Sequence, residues 1–126
     1  MPAYSTNIEK ETLENSYFRQ VLFTGKHSQL VLMSLKPGEE IGMEVHDNVD
    51  QFFRIEGGTG KAVVDGQEYA LENATALVVV AGSQHNIINT SQTDDLKLYT
   101  IYSPANHPDG TIHKTKAEAD AAEEHH

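Results

Sequence analysis

Apolar and β-branched residues recur along the chain in short runs, each broken after a few positions by Gly, Asp, Asn or Pro. That pattern predicts an all-β sandwich or barrel, because alternating strands and helices would leave longer stretches of helical period between the runs. The runs predict nine strands, at Phe18–Phe23, Gln29–Leu35, Met43–His46, Gln51–Glu56, Gly60–Val64, Gln67–Ala70, Ala76–Val80, His85–Asn89 and Lys97–Tyr102. In each strand, residues two apart share a face.

The breaks have their own geometry. Asp65-Gly66, between Val63-Val64 and Gln67-Glu68-Tyr69, suits a tight hairpin turn that needs positive φ. Lys36-Pro37-Gly38-Glu39 predicts a second turn, with Pro presetting φ and Gly tolerating the left-handed region. Gly57-Gly58-Thr59-Gly60 predicts a third, since so many glycines would weaken a strand interior. After Ser103-Pro104 the character changes. His107-Pro108-Asp109-Gly110-Thr111 is turn-like, and helix formers dominate from Thr115 to Glu124, with Thr111 or Thr115 as candidate caps. The apolar residues of that stretch are all alanine, so it is expected to bury little and to be dispensable for folding. The chain therefore divides into an N-terminal segment with the first strand (1–28), a barrel core (29–103) and a C-terminal tail (104–126).

Composition narrows the chemistry. The 126 residues fit one domain. No apolar run approaches the roughly 18 to 20 residues of a membrane span. The N-terminus has neither the basic start nor the apolar stretch of a secretory signal, which predicts a cytoplasmic protein. The formal charge of −10 opposes a nucleic-acid backbone, and no Lys/Arg cluster overcomes it. With no cysteine, any metal must be held by nitrogen and oxygen ligands.

Candidate chemistry concentrates between Gly38 and Gly58. Glu44 and His46 lie two apart in a strand and project to one face, while Val45 projects to the other. A loop from Asp47 to Asp50 reverses the chain, and Gln51 opens the next strand. There Gln51, Phe53 and Ile55 share one face, and Phe52 and Arg54 share the opposite one. Gln51 can thus return to the place where Glu44 and His46 point. Downstream, Gly82-Ser83-Gln84-His85 adds a turn glycine and a histidine at a strand start, with His85, Ile87 and Asn89 on one side.

On these residues the sequence resembles the cupin superfamily. The family's first motif is Gly, five residues, His, one, His, three or four, Glu, six, Gly. It falls on Gly38, Glu44, His46, Gln51 and Gly58 with every spacing kept. The second motif is Gly, five residues, Pro, one, Gly, two, His, three, Asn. It falls on Ala74, Val80, Gly82, His85 and Asn89, where the first Gly and the Pro are replaced. The resemblance covers Val31 to Tyr102. It implies a double-stranded β-helix (jelly-roll) barrel holding one divalent transition metal on Glu44, His46, Gln51 and His85. Glu44 stands where the family has its first His, and Gln51 where it has Glu.

Two imidazoles and one carboxylate suit Mn, Fe, Co, Ni or Zn, and Gln51 offers an amide oxygen. One carboxylate on a divalent ion leaves a formal charge of about +1, which favours a small anionic or oxygenated ligand. Three functions fit: an isomerase- or dioxygenase-like metalloenzyme, a metal-dependent binding module without turnover, or a metal that only braces the barrel. Fold resemblance does not choose among them, because function resides in the site and its loops. Absence of an attached DNA-binding domain lowers the second. Open ligand positions around three or four protein ligands would disfavour the third.

The remaining features are weaker. His107 and His113 flank the tail's turn and are candidates for a lid. His27 is expected to be solvent-exposed, and His125 and His126 end the chain. Phe52 points away from the barrel interior. Coverage by N-terminal strands would explain it, but a homodimer contact is preferred, since aromatic residues and Arg are enriched at interfaces.

Overall fold

The computed structural model describes residues 3–124; His125 and His126 lie outside the described residues. Helix α1 spans Ile8–Glu14, followed by β1 (Arg19–Thr24), β2 (Gln29–Leu35), β3 (Glu44–Val45), β4 (Asp50–Gly57) and β5 (Gly60–Val64). Then come β6 (Gln67–Leu71), β7 (Ala76–Val79), β8 (Gln84–Asn89), β9 (Leu96–Ser103), β10 (Ile112–His113) and α2 (Lys116–Glu124). All nine predicted strands are present, most with one or both ends shifted by one residue, and β3 shrinks to two. The strands form two antiparallel sheets, ordered β10-β1-β2-β9-β4-β7 and β3-β8-β5-β6. This is the predicted jelly-roll barrel.

Strand alternation sets what lies inside. On β4, Gln51, Phe53 and Ile55 are buried; on β9, Leu96, Leu98, Thr100 and Tyr102 are. Antiparallel pairing puts Met33 opposite Leu98 and Leu98 opposite Ile55, so these side chains stack in one inward-facing row. The second sheet contributes Ala62, Leu71 and Ile87 to the same core.

Turn chemistry follows the local sequence. Asp65 (φ 48°) and Gly66 (φ 84°) both have positive φ, as the two-residue hairpin between β5 and β6 requires. At Gly58 (φ 87°) a Cβ would also run into the Asp95 backbone carbonyl, so glycine is needed there on two counts. Ala74, where the family motif carries glycine, sits at φ 72° with its N–H bonded to the Ile55 carbonyl. An L-residue is strained in that region.

Two elements lie beyond the predicted strands. Helix α1 is capped by Asn7, whose Oδ1 accepts from the Lys10 N–H at 3.1 Å. It packs across β2, β4 and β9 and buries Thr12. Strand β10 brings the tail back beside β1. Helix α2 forms where helix formers were read, with the Thr115 hydroxyl accepting from the Glu118 N–H. As expected, it buries little: among its described side chains Ala119, 2% exposed, is the one that belongs to the core.

Replacing Ala74 by Gly should therefore raise stability by about 0.5–1 kcal/mol, relief of αL strain outweighing the entropy gained by the unfolded chain. Gly58→Ala should lose about 2 kcal/mol or more, because dihedral strain and a backbone clash add. Urea denaturation of both variants checks the pair; equal effects in either direction would show that φ does not govern these sites.

Candidate metal centre

Strand pairing builds one polar end inside the barrel. Glu44 on β3 lies directly opposite His85 on β8, and Gln51 on β4 directly opposite Tyr102 on β9. The His46 and His85 ring centroids are 5.5 Å apart, and the His46 and Tyr102 centroids 6.0 Å. Glu44 Oε2 lies 2.9 Å from His46 Nε2, an ion-pair contact outside hydrogen-bond alignment, so the buried Nε2 has no hydrogen bond. Glu44, His46, Gln51 and His85 thus line one region. Among the described residues, however, no three His, Asp or Glu side chains form a converged ligand cluster; Glu44 instead turns to His46.

Neighbours orient the donor atoms. The Gln51 amide nitrogen donates to the Thr100 hydroxyl at 3.0 Å, which fixes the amide and leaves Gln51 Oε1 buried with no partner. His85 Nδ1 lies 3.2 Å from the Ser83 carbonyl. A carbonyl only accepts, so in the neutral ring Nδ1 carries the proton and Nε2 keeps its lone pair.

Burial pushes the Glu44 carboxyl up. The close contact with His46 and its charge, with the charges of Arg19 and His85, more than offset this and hold it below the usual carboxylate range. Glu44 is therefore an anion at neutral pH. Burial pushes the Tyr102 phenol up to about 12, so it keeps its proton and can donate.

The site extends further than the four expected residues. Arg19 is 2% exposed, with Nη1 3.0 Å from His113 Nδ1 and its guanidinium carbon 5.3 Å from the Phe18 ring centroid. Among the described residues no carboxylate lies within ion-pair distance of it. The Tyr102 and His107 rings meet edge to face at 5.2 Å, and His107 Nε2 lies 3.3 Å from the Tyr102 hydroxyl. His107 and His113, read as lid candidates, both lie against this end of the barrel. Gln29 holds the tail there: its Oε1 accepts from the Asn106 and His107 N–H groups, and its Nε2 donates to the His107 carbonyl. His27 is exposed, as expected.

Sequence reading missed Arg19, Tyr102 and Gln29 as parts of this region. A signal was present, since Arg19 is in phase with buried Val21, and Tyr102 with Leu98 and Leu96. A charged or polar residue in phase with the apolar face of a strand is a buried-site candidate.

This barrel, with its polar end and both motifs in register, is the architecture of a small cupin. The cupin-domain profile matches residues 31–102, and the chain belongs to that family. It is 50% identical to the Bacillus subtilis protein YrkC over 96% of this chain and 68% of that one. The crystal structure of BH2720 from Bacillus halodurans is 42% identical and superposes with a TM-score of 0.92, covering 96% of this chain and 95% of that one. A predicted oxalate decarboxylase from Thermotoga maritima, at 23% identity and a TM-score of 0.57 over 61% of this chain and 66% of its own, shares the fold. No helix among the described residues is long and apolar enough to cross a membrane.

Burial, followed by the charge of Arg19, pushes His107 down from 6.5 to about 4, with Glu44 opposing. Between these values the unfolded chain takes up a proton that the folded one refuses, so stability is lost as pH falls from about 6.5 toward 4. In metal-stripped protein, His107→Gln should lose less melting temperature across that window than the parent. Identical acid profiles would show that His107 does not titrate this way.

Proposed function

We propose that this cupin is a mononuclear metalloprotein acting on a small oxygenated or anionic molecule. Glu44, His46 and His85 would hold the ion, with the Gln51 oxygen as a fourth donor. The observation that carries this reading is the pair of buried polar atoms without a hydrogen bond, Gln51 Oε1 and His46 Nε2, the latter set against the ionised Glu44, beside a His85 lone pair. Orphaned buried polar atoms are costly, and these are donor types a divalent transition metal accepts. The donor set therefore fits the group that the family resemblance implies.

When bound, the ion would supply Lewis acidity toward a carbonyl or carboxylate oxygen. The chain's own residues would do the rest. Thr100 holds the Gln51 amide in place, the Ser83 carbonyl fixes the His85 tautomer, and the protonated Tyr102 hydroxyl offers a hydrogen bond at the rim. Phe53, Val31 and Met33 close the apolar side against water. An isomerase- or dioxygenase-like reaction fits such a site, and so does binding without turnover; product analysis on metal-loaded protein separates them.

Titration calorimetry of metal-stripped protein with Mn, Fe, Co, Ni and Zn should give one site per chain. Glu44→Gln and His85→Gln should each weaken metal binding by about tenfold or more. Affinity should fall on acidification, because the imidazoles must be neutral to coordinate. Gln51→Glu should tighten metal binding by adding an anionic donor, and should weaken binding of anionic ligands. Lack of binding by every ion tested would overturn the reading.

We also propose that a second copy of the chain covers the outer face. Leu30, Ile101, Phe52 and Val78 are directly opposed on successive strands and form an apolar row, in which Val78 is 62% exposed. Phe52 lies 6.2 Å from Tyr99, centroid to centroid, on the same face. Light scattering should show a dimer that Val78→Glu dissociates without loss of fold; a monomeric parent at micromolar concentration would refute it.

A further inference from the structure

Arg19 poses a question that the metal-binding reading leaves open. A guanidinium taken out of water is costly unless charged partners surround it, and a buried cation without a carboxylate is uncommon. Here the residue is 2% exposed, its Nε is buried with no hydrogen-bond partner, and its polar contacts are to His113 Nδ1 and to Tyr102, neither of them a carboxylate. Its charge is felt at Glu44, Tyr102 and His107, so it faces the same interior as the metal-centre residues. The rings of His85, His46, Tyr102 and His107 form a continuous series along this interior, with successive centroids 5.5, 6.0 and 5.2 Å apart.

Charge accounting points the same way. Among the described residues, Glu44 is the carboxylate that feels the Arg19 charge most directly, and it is held by His46. A guanidinium offers a planar fork of N–H donors matched to a carboxylate, and Tyr102 adds a hydroxyl that stays protonated. We propose that Arg19, with Tyr102, forms an anion subsite that takes the carboxylate of a small organic acid whose other end reaches the metal residues. Access runs from the Glu44 and His46 side, where the side chains are 22% and 14% exposed. His113 is the contact that an entering carboxylate displaces.

This subsite rests on the proposed metal function only for where the far end of the ligand lies, so it is tested on metal-stripped protein. The probe is malonate, with uncharged malonamide as control. Malonate should move the ¹⁵N-resolved Arg19 Nε–H resonance, identified by its loss in Arg19→Lys, whereas malonamide should not. Arg19→Met should weaken malonate binding by about tenfold or more, the equivalent of one charge-assisted hydrogen bond, and Arg19→Lys should restore part of it. Zinc affinity should hold or rise in Arg19→Met, because a nearby cation is gone; this outcome would not follow if the variant had merely loosened the barrel.

Should Arg19→Met not fold, Tyr102→Phe decides, since it keeps the ring and removes only the hydroxyl; unchanged malonate affinity there overturns the subsite. Equal malonate binding by parent and Arg19→Met also overturns it, as does absence of malonate binding to the metal-stripped parent. Failure to bind zinc alongside an intact, Arg19-dependent malonate response would overturn the metal reading and leave this one standing.

Discussion

Strand β9 pairs along seven positions with β2 and along seven with β4, and the barrel depends on that double pairing. A one-residue slip on either side would exchange the inward and outward faces of β9. Leu96 and Leu98 would leave the core, and Tyr102 would leave Gln51. The same register that fills the apolar end with Leu98, Ile55 and Met33 therefore assembles the polar end from Thr100, Tyr102, Gln51 and Gln29. Core and site are two ends of one ladder.

The polar end holds ionisable groups in deliberate imbalance. Glu44 remains charged despite burial because imidazoles and a guanidinium lie around it, and Tyr102 remains neutral because burial outweighs the nearby cation. His107 is kept neutral by the same means. The result is one fixed anion, one fixed cation and several uncharged donors and acceptors in a low-dielectric enclosure, where each interaction is stronger than it would be in water.

Much of this was legible in the chain. Gln29–Leu35 and Gly60–Val64 were delimited without error, because apolar runs there end at turn residues with a mechanism: Pro37-Gly38 after one, Asp65-Gly66 after the other. The facing of Gln51, Phe53 and Ile55, and of His85, Ile87 and Asn89, followed from the pleat alone. Helix α1 was not legible, since Ile8 and Leu13 do not make an apolar stripe; only the cap at Asn7 marked it. Strand β10 is two residues long and exists because β1 offers a free edge, which is a tertiary fact. Arg19 escaped notice because a lone arginine reads as solvated, and its burial follows from the barrel closing over it.

The hold that Gln29 exerts on the tail has an evolutionary side. While its Nε2 also donates to the Thr24 hydroxyl on β1, its amide meets the tail through main-chain groups alone, the N–H of Asn106 and both the N–H and the carbonyl of His107. Recognition of that kind is blind to side chains. The crossing segment can accept substitutions at Asn106 without losing its anchorage, while the path of the backbone over the barrel mouth stays constant. One glutamine on β2 thus separates where the tail runs from what the tail carries, leaving its side chains free to diversify around a fixed rim.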